Sequence, residues 1–98
     1  MIIKRKEVKA EWWLKEVRNM RCCVPDCTAF KSQPHHLLKM RWRDDLIIPL
    51  CARHHTFGKD SIHVLDELNF MKQHNFNIYE YLFKVMLPAY EQAKANRG

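Results

Sequence analysis

Apolar residues recur at helical spacing at both ends of this chain and lose that rhythm in the middle. Over residues 4–21, Val8, Trp12, Val17 and Met20 stand near helical intervals with lysines and glutamates between them, which predicts an amphipathic N-terminal helix. Trp12 and Trp13 on so short a helix are expected as core or interface anchors ahead of base-stacking groups. From Ser61 the rhythm returns: Ile62, Leu65, Leu68 and Met71 share a face, and the helix they predict ends near His74 and Asn75. Asn77-Ile78-Tyr79-Glu80 then sets an N-cap residue three positions ahead of an acid, as in a capping box. It opens a last helix with Ile78, Leu82, Val85 and Met86 on one side. Pro88 should kink or end that helix, having no N–H to donate and a ring that collides with the preceding turn. In the middle, Val24-Pro25-Asp26 is a turn sequence. Leu46-Ile47-Ile48, ended by Pro49, reads as one strand of a small hairpin whose partner lies around His35–Leu38. The expected fold class is α+β in one domain over 1–98: an N-terminal helix (1–21), an irregular centre with the hairpin and a helix (22–74), and a C-terminal helix (75–98).

The irregular centre also carries the chemistry. All four cysteines and five of the six histidines fall there, as Cys22-Cys23-x3-Cys27, His35-His36, Cys51-x2-His54-His55 and His63. Four-coordinate zinc takes three or four side chains, so this supply points to two sites side by side: a closed structural zinc and an open metal that does chemistry. A 98-residue chain builds a modest core and gains from a metal whose binding free energy becomes folding free energy. Disulfides are the lesser expectation, because the N-terminus turns charged after three residues and lacks the apolar stretch of a signal peptide. No apolar run reaches the length of a membrane span, so the expected location is cytoplasmic, with no membrane partner.

The formal net charge is +6 and the pI about 9.3. Basic residues crowd Lys4–Lys9 with Arg18 and Arg21, and again Lys39, Arg41 and Arg43 just after the His pair. Positive charge beside candidate metal ligands points to a polyanionic partner, nucleic acid first.

These motifs carry a family resemblance. Residues 34–63, PHHLLKMRWRDDLIIPLCARHHTFGKDSIH, resemble the His-Asn-His (HNH) nucleases of the ββα-metal fold, above all the phage and prophage proteins that include the recombination-enhancement nucleases. In that group a His-His pair is followed by an Asp, an apolar stretch ending in Pro-Leu-Cys, a second His-His pair and a later His. Here these are His35-His36, Asp44, Pro49-Leu50-Cys51, His54-His55 and His63, and the resemblance spans roughly residues 22–83. It implies a zinc-pinned hairpin and helix flanked by an N-terminal helix and two C-terminal helices. It implies a DNA endonuclease in which His36 is the general base toward water, while His35, His55 and His63 hold a catalytic divalent metal. Imidazole ligands suit zinc, nickel or manganese, and the resemblance leaves magnesium open.

The chain departs from the family where the middle Asn is replaced by an acid, Asp44 or Asp45; Asp44 is the expected brace for His36. A glycine of the hairpin loop gives way to Lys39-Met40-Arg41-Trp42-Arg43, whose Lys39, Arg41 and Arg43 are expected to grip phosphates, with Trp42 in the core or stacked on a base. His63 lies eight residues after His55, and Gly58 breaks any continuous helix between them; a loop over Thr56–Asp60 and a new helix at Ser61 would return His63 to the metal. For the structural zinc, spacing favours Cys23, Cys27, Cys51 and His54, with Cys22 an alternative to Cys23 and His55 to His54. His74 is given no role. The rival reading is a non-catalytic, zinc-dependent DNA-binding accessory module. RNA stays open as a substrate, and a homodimer is one way for so small a domain to cut both strands.

Overall fold

A computed structural model describes residues 6–97. The start of the helix expected over 4–21, the first two positions of the Lys4–Lys9 basic run, and residue 98 lie outside the described residues.

Helix α1 spans Glu11–Arg18, shorter than its apolar rhythm predicts. The reason is tertiary. Val8 is extended and bridges Arg43 in parallel, donating its N–H to the Trp42 carbonyl (2.8 Å) and accepting from Asp44 N–H (2.9 Å). Ala10 N–H goes to Asp44 Oδ2 at 2.8 Å. Backbone groups already bonded to the hairpin cannot also close a helical turn, so α1 starts just beyond them. Glu11 in its first turn and Lys15 and Arg18 in its last suit the helix dipole. Trp13 and Val17 are its buried residues, and Trp12 stacks on Tyr90 with ring centroids 5.7 Å apart, so both tryptophans anchor the helix.

The hairpin pairs β1 (Gln33–His36) with β2 (Ile47–Leu50), antiparallel, in the register His35 opposite Ile48 and His36 opposite Ile47. Contrary to the expectation that Pro49 ends its strand, β2 runs through it. Pro34 stands directly opposite Pro49, where neither ladder bond is needed, and the Pro49 carbonyl faces outward to take the Cys23 N–H at 2.9 Å. Ile47, Ile48 and Leu50 have no exposed surface. Burying each such side chain stabilises the fold by roughly 1.5–3 kcal/mol. At the loop, Leu38 (φ 57°) and Lys39 (φ 58°) are both left-handed, turning Leu38 out to solvent.

After β2, a π-helical turn, Arg53–Phe57, ends at Gly58, so the loop expected from Thr56 starts later. A Cβ on Gly58 would lie 2.8 Å from the Arg53 carbonyl oxygen, which is why only glycine fits. Helix α2 (Ile62–His74) follows Ser61 and closes on left-handed Asn75, as predicted, but is broken at Asp66 (φ 71°, ψ 172°). Asp66 restarts it by accepting the Asn69 N–H at 2.9 Å. The break rotates the buried face. Phe70 is fully buried, whereas Leu68, expected inside, is exposed. A non-glycine residue there costs about 1–3 kcal/mol.

The last helical run comprises α3 (Ile78–Tyr81), a π-helical turn (Leu82–Met86) and α4 (Leu87–Asn96). Asn77 caps it, its side chain accepting from Glu80 N–H at 3.0 Å. Pro88 neither ends the run nor stands in mid-helix. The wide turn before it lets Leu87 N–H reach back to Leu82, and Pro88 occupies the first turn of α4, where its missing N–H costs little. Ile78, Leu82, Met86 and Tyr90 point inward, and Val85 does not. The fold is α+β, one antiparallel hairpin among several helices. Among the described residues no helix is long and apolar enough to cross a membrane.

Candidate metal centres

The turn at Val24–Asp26 closes with Cys27 N–H on the Val24 carbonyl (3.1 Å) and a left-handed Asp26. It brings Cys22 and Cys27 against Cys51 at the end of β2 and His54 on the π-turn. Cys51 Sγ and Cys22 Sγ lie 3.2 and 3.6 Å from His54 Nδ1, and Cys27 Sγ lies 3.9 Å from Cys51 Sγ. Donors about 2.0–2.3 Å from a tetrahedral zinc stand roughly 3.5–3.8 Å from one another. The set therefore fits a structural zinc. The sulfur from the first pair is Cys22, not the Cys23 that spacing favours. Consecutive residues in extended chain face opposite ways, and Cys23, its N–H fixed on Pro49, turns toward the core beside Tyr81. Burial pushes the Cys22 thiol up to about 12. A cation among the sulfurs reverses that preference and holds thiolates.

His54 joins the thiols and its neighbour His55 does not. His35 from β1, His55 from the π-turn and His63 from the first turn of α2 present ring nitrogens within 4.8 Å of one another. Gln33 Oε1 meets His55 Nδ1, which makes that nitrogen the N–H and leaves Nε2 bare, 3.0 Å from His63 Nε2. Three neutral imidazoles with converging nitrogens are a donor set for a divalent transition metal. No protein-family model, curated protein or solved structure matches the chain.

Beside the trio, His36 Nε2 donates to Asp44 Oδ1 at 3.0 Å. Of the two acids it is Asp44 that meets the histidine. Asp45 instead holds Arg43 through two bonds of 2.8 and 2.7 Å. Burial works against the Asp45 charge, but Arg43 outweighs it and the carboxyl sits below its ordinary value. Arg43 is thus committed inside the protein and is not the free phosphate grip expected of it. Lys39 and Arg41 are exposed and, among the described residues, unpaired. Both line a cavity of about 300 Å3 together with His35, His36, His55 and His63. Trp42 is half-buried.

Two groups at this site escape sequence reasoning. Glu67 reaches His35 from the restarted half of α2, with Nε2 to Oε2 at 3.3 Å, and accepts Leu38 N–H at 2.9 Å and the Tyr79 hydroxyl. Gln33 orients His55. The only hint of Glu67 is Asp66 itself, a poor interior helix residue and a good cap. His74, given no role from sequence, lies against His54 with ring centroids 5.2 Å apart and donates Nε2–H to the Asp60 carbonyl at 2.8 Å.

Burial, then the neighbouring His35 and His63, lowers the His55 imidazole from 6.5 to about 4. In the unfolded chain it takes up a proton below about 6.5 that the folded chain refuses, so the metal-free His cluster should lose stability as pH falls from 6.5 toward 4 and not above 6.5. With His55 half-exposed, the loss is on the order of 1 kcal/mol. With one zinc per chain, held at the thiolates, the fall in urea midpoint from pH 7.5 to pH 5 should be larger in the wild type than in a His55→Gln variant, the difference isolating His55 from the pH dependence of zinc binding.

Proposed function

We propose that this protein is a metal-dependent DNA endonuclease of the His-Asn-His type, its hairpin and α2 forming a ββα-metal core. The observation that carries the reading is the opening of three converging histidines, the His36 of a His36–Asp44 pair and two exposed cations onto one cavity. His35, His55 and His63 would hold a divalent metal, which would supply positive charge toward the scissile phosphate and the departing 3′ oxygen. The remaining work falls to the chain. His36, its Nε2–H held by Asp44, keeps Nδ1 free to take a proton from water, and Asp44 steadies the imidazolium that forms. Asp44 is held in turn by Ala10 N–H, which fixes the pair to the rim of the hairpin. Lys39 and Arg41 attract and seat the phosphates on either side of the cut.

The test is incubation with supercoiled plasmid and with single-stranded DNA, with magnesium, manganese, nickel or zinc, and with EDTA. Nicking that EDTA removes is the expected result. No cleavage under any metal, with salt-sensitive DNA binding retained, would move the protein to a zinc-dependent binding module.

A further inference from the structure

We infer that Glu67 is the positioning residue of the histidine cluster, and that the break in α2 exists to deliver it. The inference rests on the proposed metal site but not on nuclease activity.

Two unusual backbone segments meet at this one carboxylate. On one side is Asp66, in a region of φ and ψ that glycine normally occupies; on the other are Leu38 and Lys39, successive left-handed residues at the hairpin loop. Such conformations persist where surrounding structure over-determines them, and they gather at functional sites. Here each has an identifiable effect. Asp66 ends the first segment of α2 just after His63 and caps the second, placing Glu67 at the first position of the restarted helix, from where its side chain reaches the hairpin. The left-handed Leu38 brings its N–H to the same carboxylate. Tyr79, on α3, closes the third side. Glu67 therefore joins β1, the hairpin loop and α3 at the ring of His35, with only 19% of its side chain exposed.

A carboxylate only accepts hydrogen bonds, so the contact requires His35 to carry its proton on Nε2. One tautomer and one ring orientation are thereby selected. A glutamine would keep the shape but offer one acceptor in place of two, and it would lose the charge that makes the imidazole a better donor to a metal. Outer carboxylates of this kind change metal affinity by roughly 10–100-fold.

The experiment is a cobalt(II) titration of the full-length chain, in which thiolate-to-cobalt charge-transfer absorption identifies the Cys3His site and a second equivalent without that band reports the histidines. E67Q should weaken the second equivalent by roughly 10–100-fold and leave the first unchanged. Y79F, which removes a neighbour of Glu67 but leaves the carboxylate on His35, should leave both unchanged. Equal affinity in E67Q, equal loss at both sites, or a Y79F loss as large as that of E67Q would overturn the inference. Should E67Q not fold, the wild-type protein decides. A long-range proton–nitrogen spectrum at pH 8, with zinc only at the thiolates, should show His35 in a single tautomer protonated on Nε2, and averaged ring nitrogens would overturn the assignment. If wild-type protein takes no second cobalt, the histidine metal site falls and this inference with it; a second cobalt without DNA cleavage removes the nuclease reading alone.

Discussion

Replacing His36 by alanine should lower cleavage by roughly 10²–10⁴-fold, the range a positioned general base supplies, while the protein keeps its zinc and its fold. The side chain is partly exposed, and losing its hydrogen bond to Asp44 leaves that acid still bound to Ala10 N–H. Removing it costs about 1 kcal/mol, or roughly 4–8 °C in melting temperature for a domain of this size. The loss should lie in kcat, because His36 is neither a metal donor nor a phosphate contact, and imidazole added to the buffer should restore part of it. A variant that cuts at the wild-type rate would remove His36 from the chemistry. One that unfolds would make it a structural residue.

The second large effect separates two adjacent cysteines. Cys22→Ala should abolish zinc retention and cooperative unfolding, and Cys23→Ala should do neither. Structural zinc contributes about 10–16 kcal/mol in small zinc-binding units, as much as the whole net stability of an ordinary domain, roughly 5–15 kcal/mol. Losing one of four donors from Cys22, Cys27, Cys51 and His54 therefore consumes most of what holds the chain folded. Cys23 contributes packing only, and trimming it to alanine should cost roughly 1–2 kcal/mol. Zinc content per chain and thermal unfolding of the two variants read the difference. One zinc and wild-type melting in Cys22→Ala, or zinc loss in Cys23→Ala, would overturn the assignment made from geometry.

What could be read from the sequence divides by the range of the interaction. The hairpin was legible in Leu46-Ile47-Ile48, and the Asn77 cap in its spacing to Glu80, because a β-branched run and a cap are decided within a few residues. The division of His54 from His55 followed from the three-residue step after Cys51. Cys22 and Cys23 were not separable, since either spacing closes a knuckle and the choice depends on a bond from Cys23 to Pro49, 26 residues away. The start of α1 lies outside what periodicity encodes for a similar reason: Val8 and Ala10 bond to a loop 34 or more residues away. The burial of Phe70 in place of Leu68 depends on the break at Asp66, and Glu67 became visible only with it. Arg43 is one of several basic residues by sequence, and only the fold turns it back onto Asp45, two residues on.

The π-turn Arg53–Phe57 carries His54 into one donor cluster and His55 into the other. Adjacent residues on a single turn cannot be placed independently, so an ion held at the thiolate site would also set the aim of His55 in the neighbouring cluster. Filling of the two clusters should then have an order: in a chain short of zinc the turn is not pinned at His54, and His55 is not held toward His35 and His63, however much of another metal surrounds it.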